Sequence, residues 1–242
     1  MNFDMDIKVR YSECTRAQKV SLHMILNYMQ DAATLHSEVI GFGLERNLSH
    51  NHGWFLLAYD IEIIRLPEVF EEITVSTDPY LMKGYYGYRS FNIHDSEGNV
   101  LVRADSMWIL MDIEKLLPVR VPYEMTSGFG SSDGGIKPTI RRKIRAGSDW
   151  EAVASIPVMP FYLDTNGHVN NQYYAMWAEG FLKEDRRLSK VKIDYRKSAA
   201  DGDRIRIFIQ DKGADRIVKF ENQDEELLAY VKFTFDPEEA EG

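Results

Sequence analysis

Cysteine is almost missing from this 242-residue chain: Cys14 stands alone. One thiol makes no intramolecular disulfide and supplies no cysteine-based zinc site. Long apolar runs are also missing, and none approaches the ~20 residues that span a bilayer. The acidic start, Met1-Asn2-Phe3-Asp4-Met5-Asp6, lacks the apolar centre of a signal peptide. Together these features lead us to expect a cytoplasmic protein. Positive charge is in the minority, with 29 Lys and Arg against 38 Asp and Glu, a net charge of −9. That balance argues against a general binder of nucleic acid or anionic membrane. His50 and His52 flank Asn51, but no carboxylate or cysteine set accompanies them, so a loop role is expected and neither metal nor cofactor is called for.

What the chain does have is a 44% apolar share, enough for a core, and 28% charged residues. Its length suits one large domain or two small ones. Residues 3–11 alternate like a strand. From Ser21 a helical pattern places Leu22, Ile25, Leu26, Met29, Ala32 and Ala33 on one face. Strand-like runs follow at 54–66, 72–79, 85–94 and 100–113. The tract 126–150, glycine- and serine-rich and then basic, reads as a linker. After it the order repeats: a short strand at 152–158, a helix from Gln172 to about Asp185, then strand-like runs at 190–195, 204–211, 216–221 and 227–235. Such a repeat constrains the fold. A long helix and an antiparallel sheet bury their apolar faces on one another, so each half reads as a sheet curled around a helix, an α+β design. The boundaries expected are 1–125, a linker at 126–150, and 151–242.

The most chemically loaded stretch is Asp164-Thr165-Asn166-Gly167-His168-Val169-Asn170-Asn171, just ahead of Gln172-Tyr173-Tyr174-Ala175-Met176-Trp177. Turn formers before helical spacing read as a loop entering a helix, where free amides and the dipole favour negative charge. An acid, an imidazole and amide donors in one loop suit acyl transfer. The plainer alternative is a capped helix start, with Asp164 bracing a turn and Asn170 or Asn171 as caps.

Three segments resemble the acyl-acyl carrier protein thioesterases, a family of tandem hot-dog domains. They are Asp164–Tyr174, which is similar to the family's D-x-N-x-H-V-N-N segment; Ile193-Asp194-Tyr195-Arg196-Lys197, similar to its "EYR" strand; and Gln30-Asp31-Ala32-Ala33 with Gly41 and Gly43 after it. The resemblance runs from the first strand to about Phe235 and points to a bacterial-type member. It implies two tandem hot-dog domains and hydrolysis of fatty acyl-acyl carrier protein to free fatty acid and carrier protein. It places Asp164, Asn166 and His168 on catalytic positions. The family's acidic residue after the "EYR" strand is replaced here by Ser198, followed by Ala199, so Ser198 is expected to hold the water while Asp164 or His168 takes its proton. Backbone amides around Val169 and Asn170 are the expected oxyanion donors.

The first-half counterpart, Glu13-Cys14-Thr15-Arg16-Ala17-Gln18, lacks the acid-plus-histidine pattern, which assigns chemistry to the second half and acyl-chain binding to the first. Tyr28, Trp54 and Met107, with Met24, Phe55 and Leu57, are candidate pocket residues, each equally explained by core packing. Arg141, Arg142, Lys143, Arg145, Arg186 and Arg187 are candidates for steering the acidic carrier protein. An acyl-CoA thioesterase of the same fold, or a non-catalytic acyl-carrier or acyl-chain binding module, are the alternatives. A monomer and a homodimer are both compatible with tandem domains.

Overall fold

The computed structural model describes residues 2–131, 136–164, 167–182 and 186–237. The chain separates into two compact units. Unit 1 is Met1–Tyr59 with Ile64–Arg141, and unit 2 is Arg142–Gly242 with Asp60–Ile63.

In unit 1, β1 (Phe3–Lys8) leads through a 3-10 turn at Tyr11–Glu13 into α1 (Leu22–Val39) and the short α2 (Leu44–Ser49). Then come β2 (His52–Ile63), β3 (Glu72–Lys83), β4 (Tyr86–Asp95), β5 (Val100–Asp112), the two-residue β6 (Leu117–Pro118) and α3 (Tyr123–Gly128). The strand order is β1–β3–β4–β5–β2, with β6 on β5. α1 buries Leu22, Ile25, Leu26, Met29, Ala32 and Ala33 and packs on β1 and β3. The larger of these side chains contribute about 1.5–3 kcal/mol each on leaving water.

The tract read as a linker is packed in its described part. Phe129 joins Phe42, Met82, Leu110 and Met125 in one cluster, and Ile140 and Ile144 are buried. Ser131 donates to the Pro79 carbonyl at 2.8 Å, and Thr139 to Asp105 at 3.0 Å. Its anchors are single apolar residues spaced among polar ones, which leave no periodic signal to read.

In unit 2, β7 (Glu151–Pro157) runs through a 3-10 turn at Pro160–Tyr162 into α4 (Asn171–Glu179). Next are β8 (Leu188–Tyr195), β9 (Arg204–Lys212), β10 (Asp215–Glu221) and β11 (Leu227–Phe235), in the antiparallel order β8–β11–β10–β9–β7. Tyr174 and Trp177 face the sheet from α4, and the Tyr174 ring meets Phe220 edge-on at 5.3 Å. The helix expected to reach Asp185 stops at Glu179, with Gly180 as its C-cap.

The repeat extends to individual hydrogen bonds. Cys14 bridges Val20 as Leu163 bridges Val169, an offset of 149 positions (163 − 14). Val20 donates to the Pro67 carbonyl at 2.8 Å and Val169 to the Ala199 carbonyl at 2.9 Å. The turn after β4 is held by Asp95, whose Oδ1 accepts from the amides of Glu97 and Asn99. The turn after β10 is held in the same way by Asn222, whose Oδ1 accepts from Asp224 and Glu226. Each half is thus the same backbone device with different side chains.

Candidate active site

The loop before α4 is a closed turn. The Asp164 amide donates to the His168 carbonyl at 2.7 Å, and the Gly167 amide to the Asp164 carbonyl at 3.0 Å. The His168 amide in turn donates to Asp164 Oδ1 at 3.2 Å. Gly167 has φ +75°, a left-handed conformation natural to glycine. Asn170 then caps α4, its Oδ1 accepting from the Gln172 amide at 3.2 Å. Tyr195 at the end of β8 fastens the helix start by donating from its hydroxyl to the Asn171 carbonyl at 3.0 Å. Asn170 is therefore the cap, and Asn171 opens the helix. Both Asp164 and His168 are half-buried, and Asn166 lies outside the described residues.

One flank of the loop is fixed by the chain beyond β8. His168 bridges Ala200 antiparallel, and Val169 donates to the Ala199 carbonyl. This register sets Ser198 opposite Asn170, in an exposed position beside the helix start. Asp203 pins that flank by accepting the Ala200 amide at 2.9 Å. Tyr174 lies beneath it with its hydroxyl buried. Burial pushes that hydroxyl up, and the neighbouring Ala199 amide acts in the opposite direction.

The expected oxyanion donors need correction. The Val169 amide is committed to Ala199 and the Asn170 amide to the Tyr162 carbonyl at 2.9 Å. Both are tied up because the loop is strand-paired on one side and capped on the other. Gln172 is held by the cap and Tyr173 bonds the Asn170 carbonyl, which leaves Asn171 as the first-turn amide without a protein acceptor among the described residues. Asp194, on the "EYR" strand, is fully buried and paired with Arg142 at 3.0 Å and Arg196 at 2.6 Å. Burial pushes its carboxyl up and the two guanidinium groups oppose this, so it is a structural ion cluster. Asp201 is exposed in the turn after Ser198.

Unit 1 builds the corresponding loop from other side chains. Thr15 bonds the Lys19 carbonyl through its amide at 2.8 Å, and the Gln18 amide bonds the Thr15 carbonyl at 2.9 Å. Thr15, Ala17 and Lys19 thus occupy the places of Asp164, Asn166 and His168. This loop is locked from below. Glu13, 4% exposed, accepts from the Tyr28 hydroxyl at 2.6 Å, the Arg10 amide at 2.7 Å and Arg10 Nε at 2.8 Å. Burial pushes Glu13 up, but the bonds from Arg10 and Tyr28 outweigh it and hold the carboxyl below its usual range. Tyr28 is therefore a buried strut. Trp54 packs on the cluster of Phe42, Met82, Leu110, Met125 and Phe129. Met107 is half-buried on β5 opposite Tyr88. The described contacts do not gather Tyr28, Trp54 and Met107 into one pocket. The Glu13–Arg10–Tyr28 network escaped the sequence reading, although its spacing was present as polar residues ahead of an amphipathic helix.

The basic residues divide. Arg142 is committed to Asp194 and to the Tyr195 carbonyl. Arg186 lies over the Phe235 ring at 5.0 Å, and Arg187 pairs with Asp236 at 3.4 Å. Arg141, Lys143 and Arg145 are exposed. Among the described residues no group of three or more His, Cys, Asp or Glu is placed to hold a metal ion, and no helix is long and apolar enough to cross a membrane.

Comparison with known proteins matches residues 1–129 to the family model for the acyl-ACP thioesterase N-terminal domain and residues 148–231 to that for the C-terminal domain. A chloroplastic palmitoyl-acyl carrier protein thioesterase of Gossypium hirsutum is 24% identical over 213 residues, covering 81% of this chain and 51% of the relative. The chain thus spans about half the length of the curated relatives it matches. Among solved structures, a putative oleoyl thioesterase from Lactobacillus plantarum superposes with TM-score 0.87 at 23% identity, covering 98% of both chains. An acyl-ACP thioesterase from Bacteroides thetaiotaomicron superposes with TM-score 0.85 at 18% identity, covering 97% of this chain and 98% of the other. These likenesses establish the tandem hot-dog fold.

Proposed function

Because the chain belongs to the acyl-ACP thioesterase family, matched over both of its domains, we propose that it hydrolyses fatty acyl-acyl carrier protein to free fatty acid and carrier protein in fatty acid biosynthesis. The observation that carries this reading is the contrast between the two loops. They share one hydrogen-bond scaffold, yet only the unit 2 copy carries an acid and an imidazole.

In this reading unit 2 does the chemistry and unit 1 takes the acyl chain. Asp164 holds the His168 amide and so sets the loop that presents the imidazole. Ser198, beside the helix start, holds the attacking water. His168 takes a proton from that water as its oxygen bonds the thioester carbon. Negative charge gathers on the former carbonyl oxygen, where the Asn171 amide at the start of α4 and the amide of Asn166 are the donors. The C–S bond then breaks, the proton passes to the leaving thiolate, and a carboxylic acid and the carrier thiol remain. Arg141, Lys143 and Arg145 are the cations best placed by exposure to steer an acidic carrier protein, whereas Arg142 is taken by Asp194. The reading includes action in the cytoplasm, as a monomer or a homodimer.

The deciding experiment sets acyl-carrier thioesters against the matching acyl-CoA thioesters. Faster turnover of the carrier form, lost in His168→Ala, is expected. Preference for CoA would move the chain to the acyl-CoA thioesterases, and tight acyl-carrier binding without turnover would make it a binding module.

A further inference from the structure

Arg89 on β4 is buried in unit 1, 6% exposed, and no carboxylate pairs with it among the described residues. Its Nη1 donates to His36 Nδ1 at 3.2 Å and to Thr77 Oγ1 at 3.1 Å. Asp78, next to Thr77 on β3, is close enough for its charge to raise the Arg89 guanidinium. The internal repeat shows what such an arginine ordinarily has. Arg89 lies six positions before Asp95, and Arg216 on β10 lies six before Asn222, the matching turn residue (95 − 89 = 222 − 216). Arg216 is clamped by both oxygens of Asp211 at 2.7 Å and also donates to the Phe181 carbonyl. Among the described residues, unit 1 keeps the cation and has no carboxylate bonded directly to it.

The groups around Arg89 are short of acceptors. His36 accepts from Arg89 at Nδ1, so its neutral ring carries the proton on Nε2, and that buried atom has no partner among the described residues. The Tyr59 hydroxyl, on β2, is buried without a partner among the described residues as well, and its ring meets Phe91, two residues beyond Arg89 on β4, at 6.2 Å. Leaving a buried donor unmet costs about 1–3 kcal/mol. Burial pulls His36 down to about 4, with Arg89 acting in the same direction, so the imidazole stays neutral near pH 7. Around these groups lie Phe3, stacked on His36 at 5.5 Å, and Phe129, edge-on to it at 5.8 Å. A cation and two unmet donors in apolar surroundings call for a ligand that only accepts, carries negative charge and has an apolar body.

We propose that unit 1 contains a buried carboxylate site formed by Arg89, His36 and Tyr59, which takes the carboxylate of an aliphatic chain, with Thr77 orienting the guanidinium while its own hydroxyl donates to the Ser90 carbonyl. The choice of an aliphatic ligand rests on unit 1 being the acyl-chain half. Two sources share this chemistry: a carboxyl at the far end of an acyl substrate, and the head of a free fatty acid.

The test titrates the full chain with octanoate and with 1-octanol by calorimetry. Octanoate is expected to bind at least about tenfold more tightly, in keeping with charge-assisted bonds. Arg89→Met abolishes this preference, and Tyr59→Phe, which preserves the ring, reduces it several-fold. Equal affinity for acid and alcohol in the unmodified chain, or a preference that survives both substitutions, overturns the site. The sources are separated by hydrolysis of octanoyl and 7-carboxyheptanoyl thioesters. A higher kcat/KM for the carboxyl-ended substrate assigns the site to the far end of the chain. Inhibition by octanoate without that advantage assigns it to the free acid, and the absence of both effects overturns the proposal. Turnover of octanoyl thioester without preferential octanoate binding removes the site and leaves the reaction standing. Binding without turnover does the reverse.

Discussion

The backbone N–H of His168 donates to the Asp164 carboxylate at 3.2 Å, so the acid fixes the segment that carries the imidazole. Asparagine at 164 keeps an oxygen that can accept this bond and removes the charge. Asp164→Asn is expected to cut turnover by at least ~100-fold, the scale of losing an acid–base group. Its melting temperature should remain close to that of the unmodified chain. Full activity in a folded Asp164→Asn protein would reduce the residue to a turn brace.

His168→Ala is expected to lower kcat by at least ~100-fold as well. The same change at Lys19, its unit 1 counterpart, should leave kcat alone. Steady-state rates on one acyl-carrier substrate decide both, and equal losses at the two positions would contradict a division of roles between the loops.

Ser198→Glu places a carboxylate on the flank that His168 and Val169 pair with. A faster enzyme would mean that the carboxylate absent from this position limits the rate. We expect a slower one, because a loop settled around a hydroxyl-held water must accommodate a longer, charged side chain.

Raising salt should weaken apparent affinity for acyl-carrier substrate and leave hydrolysis of a small uncharged thioester unchanged. Reversing charge at Arg141, Lys143 and Arg145 should raise KM for the carrier substrate in the same selective way. Identical salt profiles for the two substrates would remove the steering argument.

Glu13 supplies a pH-dependent contribution to stability. Its folded value lies below the ordinary 4.5 because the Arg10 and Tyr28 bonds outweigh burial. That stabilisation is present above 4.5 and is lost as pH falls through the lowered value. Tyr28→Phe is expected to destabilise unit 1 by about 1.5–3 kcal/mol near neutral pH, as for a hydrogen bond to a charged group. The difference from the unmodified chain should narrow on acidification. Urea melts from pH 7 to pH 3 give the comparison, and a gap constant with pH would disconnect Tyr28 from the carboxylate.

Element order was readable because strand alternation and the α1 stripe are periodic, and the loop at 164–171 was readable because its residue types are chemically unusual together. Commitments were not. The helical pattern of the sequence could not reveal that the Val169 and Asn170 amides are already used, because that follows from pairing with Ala199 and Tyr162, neither adjacent in sequence. Arg142 looked like its basic neighbours until Asp194, fifty-two residues on, claimed it. Tyr28 looked like a pocket aromatic, yet its hydroxyl is engaged by Glu13 on the preceding turn.

The locked loop of unit 1 has a consequence for how such a protein tolerates change. A loop that performs chemistry must keep polar groups unsatisfied or poised, which works against stability. Here one copy of the scaffold is clamped by an arginine, a glutamate and a tyrosine, while its twin keeps an acid and an imidazole half-buried. If the unit 2 loop performs the proposed hydrolysis, duplication separates two demands that a single loop would have to reconcile, so each copy can drift toward its own optimum.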